Sequence, residues 1–249
     1  MNHLFEYLSL NLHATLNTLV WALSLVLQCI LFALLFSRGI ARRFPFFASL
    51  IGFYILRSAV LFLIFNHVSP SNYAGLRDLL LLLEIFVQLC VAVELTLSLV
   101  REQGGWSVRQ SLILLGLLCG AGLCTFLTTA ILPPHAPLRA DRSQLFFSFF
   151  MIFLCGWAYR LRSSGSIARR ILSGVALYGI VNIAANIGRI YAAVNRLPRV
   201  YAAWSYALVA IYLIVVVLWL ATLRMPSGKS SSTRLAARFG RNIGQLYHN

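Results

Sequence analysis

Phe46-Phe47-Ala48-Ser49-Leu50-Ile51-Gly52-Phe53-Tyr54-Ile55-Leu56-Arg57-Ser58-Ala59-Val60-Leu61-Phe62-Leu63-Ile64-Phe65 is an apolar run with a single charge, Arg57, near its middle. At about 20 residues such a run is long enough to cross a bilayer as a helix. A guanidinium at that depth costs roughly 3 kcal/mol on insertion scales, and it survives facing a bundle interior near a counter-charge. The next apolar run supplies two acids, Glu84 and Glu94. Together these residues predict a membrane-embedded helical bundle with a polar interior.

The rest of the chain fits that reading. It is 60% hydrophobic and 11% charged, against about 25% charged for soluble domains. The net charge of +15 reads as contact with nucleic acid or a membrane surface. Here the bases sit in short segments between apolar runs, so topology explains them and nucleic acid is not expected as a partner. Cys29, Cys90, Cys119, Cys124 and Cys155 all lie inside apolar runs with no C-x-x-C spacing. They read as small packing residues rather than disulfides or a zinc ribbon.

Seven stretches are long enough to span: 14–37, 45–66, 79–100, 110–132, 144–161, 171–193 and 201–223. The fold class is therefore all-α, a polytopic seven-span bundle over 1–225. The first run is expected to stay as a span rather than act as a cleaved signal, because no Lys or Arg precedes Ala14. Fourteen of the 21 Lys and Arg fall on the side of the first loop, six fall on the other side, and Arg57 lies within a run. Positive charge stays in the cytoplasm, so the amino terminus is expected outside and the carboxy terminus inside, in a plasma or bacterial inner membrane. Trp106, Trp157, Tyr159 and Trp219 fall near the inner boundary, and Tyr191, Tyr201 and Trp204 near the outer one, as aromatic belts do.

Gly39-Ile40-Ala41-Arg42-Arg43 before the second run is echoed by Ser166-Ile167-Ala168-Arg169-Arg170 before the sixth. That weak echo is compatible with a 3+1+3 parallel repeat with the fourth run as connector; chance and a shared need for cytoplasmic arginine also explain it. Residues 226–249 form a basic tail that opens on a Gly/Ser joint at Ser227–Ser232. Within it Leu235, Phe239, Ile243 and Leu246 recur with the spacing of an amphipathic helix over 233–247. Such a helix is expected to lie on anionic inner-leaflet lipid; the alternative is a disordered positive tail.

Arg57 lies about 13 Å and Glu84 about 8 Å below the outer ends of their runs, at 1.5 Å per residue, so the two can meet directly or through water; the alternative is that Arg57 snorkels alone to the outer headgroups. Gln88 is one turn below Glu84 on the same face. Glu94 is about 80° away around the helix and either snorkels inward or sits protonated in a dry site. In the sixth run Tyr178, Asn182, Asn186 and Arg189 follow at i, i+4, i+8 and i+11, a single face. Amides in a span must find partners across helices or on a ligand. The ligand-binding or structural polar core is thus Arg57, Glu84, Gln88, Tyr178, Asn182, Asn186 and Arg189, with Asn17, Gln28 and Tyr54 able to join it. Gly116, Gly120 and Cys124 on the fourth run form a small-residue face suited to close helix packing.

No G-x-S-x-G, H-E-x-x-H or Walker sequence occurs, so no catalytic residue is assigned. His67 and His135 with Asp78 or Asp141 lack ligand spacing, and no metal or cofactor is expected. The single lysine, Lys229, lies in the tail, which excludes covalently bound retinal. In span count and direction the chain resembles seven-helix receptors and transporters of 3+1+3 design. The likeness covers no motif, and the Pro-Gln signature of sugar exporters is absent.

Three functions are compatible with this pattern. The first is a non-enzymatic sensor or accessory subunit that docks a protein partner at its basic cytoplasmic face. The second is a bundle that binds or transports a small polar ligand at the Arg/Glu/Asn core. The third is an intramembrane enzyme acting on lipid through Glu84 or Glu94.

Overall fold

The computed structural model describes residues 2–64, 70–102, 105–131, 139–161 and 167–224. The tail 226–249, with its amphipathic helix, lies outside the described residues, as do His67 and His135. The described chain is all helical, without strands: α1 (Asn2–Ser37), α2 (Ile40–Arg43), α3 (Pro45–Ile64), α4 (Pro70–Glu102), α5 (Val108–Ile131), α6 (Arg139–Arg160), α7 (Ile167–Val194) and α8 (Pro198–Arg224).

Local chemistry sets these boundaries. Three helices begin on proline, Pro45, Pro70 and Pro198, where the missing N–H costs nothing and the fixed φ suits the first turn. A capping box starts α5. The Gln110 N–H donates to Ser107 Oγ at 3.3 Å, and the Ser107 N–H donates to Gln110 Oε1 at 3.1 Å. Gly39, in the left-handed region at φ 67°, ends α1 and turns the chain into α2. The echoed motifs therefore differ in structure. Ile40–Arg43 is a separate short helix before α3, whereas Ile167–Arg170 is the first turn of α7.

Among the described residues, five helical segments are long and apolar enough to cross a membrane: Thr18–Ser37, Leu79–Glu102, Val108–Ala130, Ile167–Val194 and Pro198–Arg224. In α3 the apolar stretch Pro45–Leu61 is shorter. The first turns of α6 hold Arg139, Asp141, Arg142 and Gln144, so its apolar part begins only at Leu145. Leu82, Phe86 and Val93 on α4 and Leu112, Leu115, Leu123 and Phe126 on α5 are exposed. An apolar surface of that extent suggests contact with lipid tails.

The helices pack as two sequential triples. In one, α3 lies against α1 and α4; in the other, α7 lies against α6 and α8. The triples meet through α1 on α8 and through α4 on α6 and α7, while α5 packs on α6. The apolar core is concentrated at one end of the bundle. Leu31 and Leu35 end α1, Phe44 and Phe47 flank the start of α3, and Leu95 and Leu99 end α4. Leu154, Ile171, Leu172, Val216 and Trp219 complete the plug from the second triple. The Phe47 and Trp219 rings meet edge to face at 5.0 Å. That end, which carries the first loop, is closed by side chains, and the polar residues lie beyond it.

Candidate functional site

On α3, Tyr54 and Arg57 are one turn apart and share a face. On α4, Glu84 and Gln88 do the same. Packing α3 on α4 brings the four together. Arg57 Nη1 donates to Glu84 Oε2 in a direct ion pair. The Tyr54 hydroxyl donates to Glu84 Oε1 at 3.2 Å, and Gln88 Nε2 donates to the same oxygen at 3.1 Å. Gln88 Nε2 also reaches the Tyr54 hydroxyl at 3.3 Å. A carboxylate accepting three hydrogen bonds can stay in a dry site, because pairing and hydrogen bonds offset the cost of burying its charge. The Glu84 side chain is 8% exposed and that of Arg57 26%. Arg57 is the more exposed partner and borders open space beside the pair.

The second cluster runs along α7. Arg189 Nη2 donates to Asn186 Oδ1 at 2.6 Å, Asn186 Nδ2 to Asn182 Oδ1 at 3.2 Å, and Asn182 Nδ2 to Ser148 Oγ of α6 at 3.0 Å. Asn182 and Asn186 are buried. Their amides are satisfied by this ladder, as polar groups shielded from water must be.

Between the clusters is a cavity of about 200 Å³, bounded by both helix triples. Arg57, Glu84, Gln88 and Tyr54 line one wall; Asn182, Tyr178, Ser148 and Gln144 line the other; Tyr212 of α8 closes a side. Leu50, Val91, Val175 and Trp219, at the edge of the apolar plug, form the floor. Five of the seven residues expected in the polar core, Arg57, Glu84, Gln88, Tyr178 and Asn182, face this space. Asn186 and Arg189 stand behind Asn182 in the ladder and do not line it.

Of the further candidates, Tyr54 joins the cavity. Gln28 does not: it lies beyond Tyr212 and lines a neighbouring cleft. The Asn17 side chain is outside the described set. Sequence reasoning passed over Gln144, Ser148 and Tyr212. Ser148 had a signal, as the one hydroxyl inside Leu145-Phe146-Phe147-Ser148-Phe149-Phe150; Tyr212 was one aromatic in an aliphatic run, indistinguishable from packing.

Glu94 has a separate task. Its two carboxylate oxygens accept the backbone N–H groups of Phe46 and Phe47, at 3.0 and 2.9 Å. These are the second and third residues of α3, and α3 offers no side-chain cap of its own. Glu94 caps the positive end of α3 from a neighbouring helix. On α5, Gly120 lies against Phe153 whereas Gly116 faces open space, so only part of the small-residue face packs within the chain.

No protein-family model matches this chain, and no curated protein and no solved structure matches it either.

Proposed function

We propose that this chain is a polytopic membrane protein whose central cavity binds a small polar solute bearing a carboxylate, and that it moves the solute across the bilayer. One observation carries the reading: a cavity between the two helix triples, with the Arg57–Glu84 pair on one wall and Asn182 on the other. Guanidinium forks recognise carboxylates with geometric specificity, and amides and phenols fix orientation in an otherwise apolar pocket. An apolar cavity of about 150 Å³ holds benzene, so this one suits a solute of amino-acid size.

On this reading all seven runs cross the membrane, α3 and α6 included, with the amino terminus outside and the carboxy terminus in the cytoplasm. Residues 1–225 form the bundle, and 226–249 form a basic tail on anionic inner-leaflet lipid. The two triples are then the halves of a 3+1+3 design that rock about the cavity, and the apolar plug is the closed cytoplasmic gate. The reading as a sensor or accessory subunit docking a partner rests on the tail, whereas the cavity favours solute binding. The reading as a lipid enzyme needs a free acid. Glu84 is held by Arg57, Tyr54 and Gln88, and Glu94 by the α3 backbone.

The test is a thermal-shift screen of purified protein against small carboxylates, amino acids, sugars and nucleosides, followed by uptake into proteoliposomes. A ligand at 100 times its Kd should stabilise the fold by about 2.7 kcal/mol. Arg57→Leu should abolish both the shift and the uptake while the protein still folds. If a panel of this breadth yields neither shift nor uptake, the proposal is wrong.

A further inference from the structure

The seam between α5 and α6 carries two matching stripes. On α5, Arg109, Ile113 and Leu117 follow at i, i+4 and i+8; on α6, Arg160, Gly156 and Ile152 repeat the spacing in reverse. Such spacing puts each set on one helix face. The six residues border a single groove of about 910 Å³, with both arginines at the end where α5 begins and α6 stops. Leu117 lies eight residues after Arg109, and Ile152 eight before Arg160, so each stripe descends about 12 Å. That depth fits within one leaflet of a hydrocarbon core about 30 Å thick. Further along, the seam is shut where the Phe153 ring lies against Gly120. The groove stays open because position 156 has no side chain: a Cβ placed there would meet nothing within 4 Å.

Both arginines are exposed, and no Asp or Glu lines the groove. The ion pairs among the described residues use other arginines, Arg43 with Glu102 and Arg57 with Glu84. Ser107 and Gln110, at the same mouth, already serve each other in the capping box of α5. The groove therefore offers two guanidinium groups at its mouth and apolar walls below them. We propose that it seats one anionic phospholipid, with the phosphate diester at Arg109 and Arg160 and one acyl chain along Ile113, Leu117 and Ile152. Guanidinium groups hold phosphate through charge-assisted hydrogen bonds, and basic pockets between membrane helices take anionic headgroups. A zwitterionic lipid fits the walls equally well but brings a cationic ammonium toward the arginines, so charge selects between the two. The inference rests on the reading of the chain as a membrane-embedded bundle. It does not depend on what the central cavity binds or on the basic tail.

The full chain is reconstituted in phosphatidylcholine nanodiscs doped with phosphatidylglycerol that carries a diazirine in its acyl chain, and in parallel with phosphatidylcholine labelled the same way. After irradiation the crosslinked peptides are mapped. Crosslinks are expected at 113–117 and 152–156. The anionic label should half-saturate them at a mole fraction about thirtyfold lower than the zwitterionic one, from about fivefold for each basic side chain near anionic lipid. Arg109→Gln combined with Arg160→Gln should erase that advantage. Gly156→Leu changes no charge but fills the groove, and it should erase the advantage too. The proposal is overturned if the two labels half-saturate alike, if either variant keeps the preference, or if the anionic crosslinks fall on the tail, 226–249, instead. The comparison of labels needs no variant and stands even if one fails to fold. Equal labelling of α5 and α6 by both lipids would end the lipid site and leave the membrane-embedded bundle standing. No crosslink from either label to any helix would overturn the bundle as well.

Discussion

Glu84 is the residue on which most of the polar interior converges, since Arg57, Tyr54 and Gln88 all donate to it. Removing its charge leaves Arg57 unneutralised. Glu84→Gln should lower the melting temperature of the detergent-solubilised protein, at a cost below the roughly 3–5 kcal/mol seen for breaking a fully buried pair, because Arg57 is partly exposed. Arg57→Gln added to Glu84→Gln should restore part of the loss, with a coupling of roughly 0.5–3 kcal/mol. Strictly additive losses would mean that the pair does not act as one. Glu94 answers to a different measurement. Glu94→Ala should cost about 0.5–2 kcal/mol, the usual loss for a helix cap, and leave ligand-induced thermal shifts unchanged. An altered ligand response would show that Glu94 does more than hold the start of α3. The Arg57–Glu84 contact was legible because an arginine in hydrocarbon needs an acid and the next run offers one at similar depth. The Glu94 cap was not, because its partners are backbone N–H groups, which every residue but proline carries.

Among the helices, α7 shows how closely this bundle is fitted. A methyl added at Gly174 would run into the indole of Trp219, which is buried, donates to the Ile171 carbonyl at 3.2 Å and packs on Phe47. Such a ring has nowhere to move. Gly174→Ala should therefore destabilise by about 1–3 kcal/mol through overpacking, although glycine to alanine in a helix is ordinarily favourable by up to about 1 kcal/mol. Gly116→Ala on α5, where nothing lies within 4 Å, should be neutral or stabilising. Thermal melts of the two variants compared side by side check this, and equal shifts would contradict it. The seven apolar runs were legible as helices from their length and the breakers between them. Which glycines are tightly packed was not, since that depends on the ring brought in by another helix.

The arrangement of the whole bundle carries the topological proposal. Each described loop is short, and the apolar plug lies at the end bearing the first loop, so the placement of a few surface positions across the membrane decides the orientation. In a background with the five cysteines replaced, Asn195→Cys at the α7–α8 turn should react with a membrane-impermeant maleimide in intact cells. Ser107→Cys at the start of α5 should react only after permeabilisation. The reverse pattern would invert the bundle, and labelling of both positions from outside would break the seven-span count.

What the sequence determined by itself is the class of molecule and the polar residues that must avoid lipid. Runs of about 20 apolar residues with few charges are long enough to cross a bilayer, and Arg57, Glu84, Asn182 and Asn186 stand out because each would be expensive there. The tertiary structure decided how those residues group. It set Ser148 against Asn182, Tyr212 beside the cavity, Gln28 in the neighbouring cleft and Glu94 on the α3 backbone. The reason is the nature of the solvent. In water, one apolar stripe tells which face of a helix turns inward. In a bilayer both faces are apolar, so helix rotation is set by close packing between side chains far apart in the chain. Rotation, in turn, fixes which polar groups share a cavity.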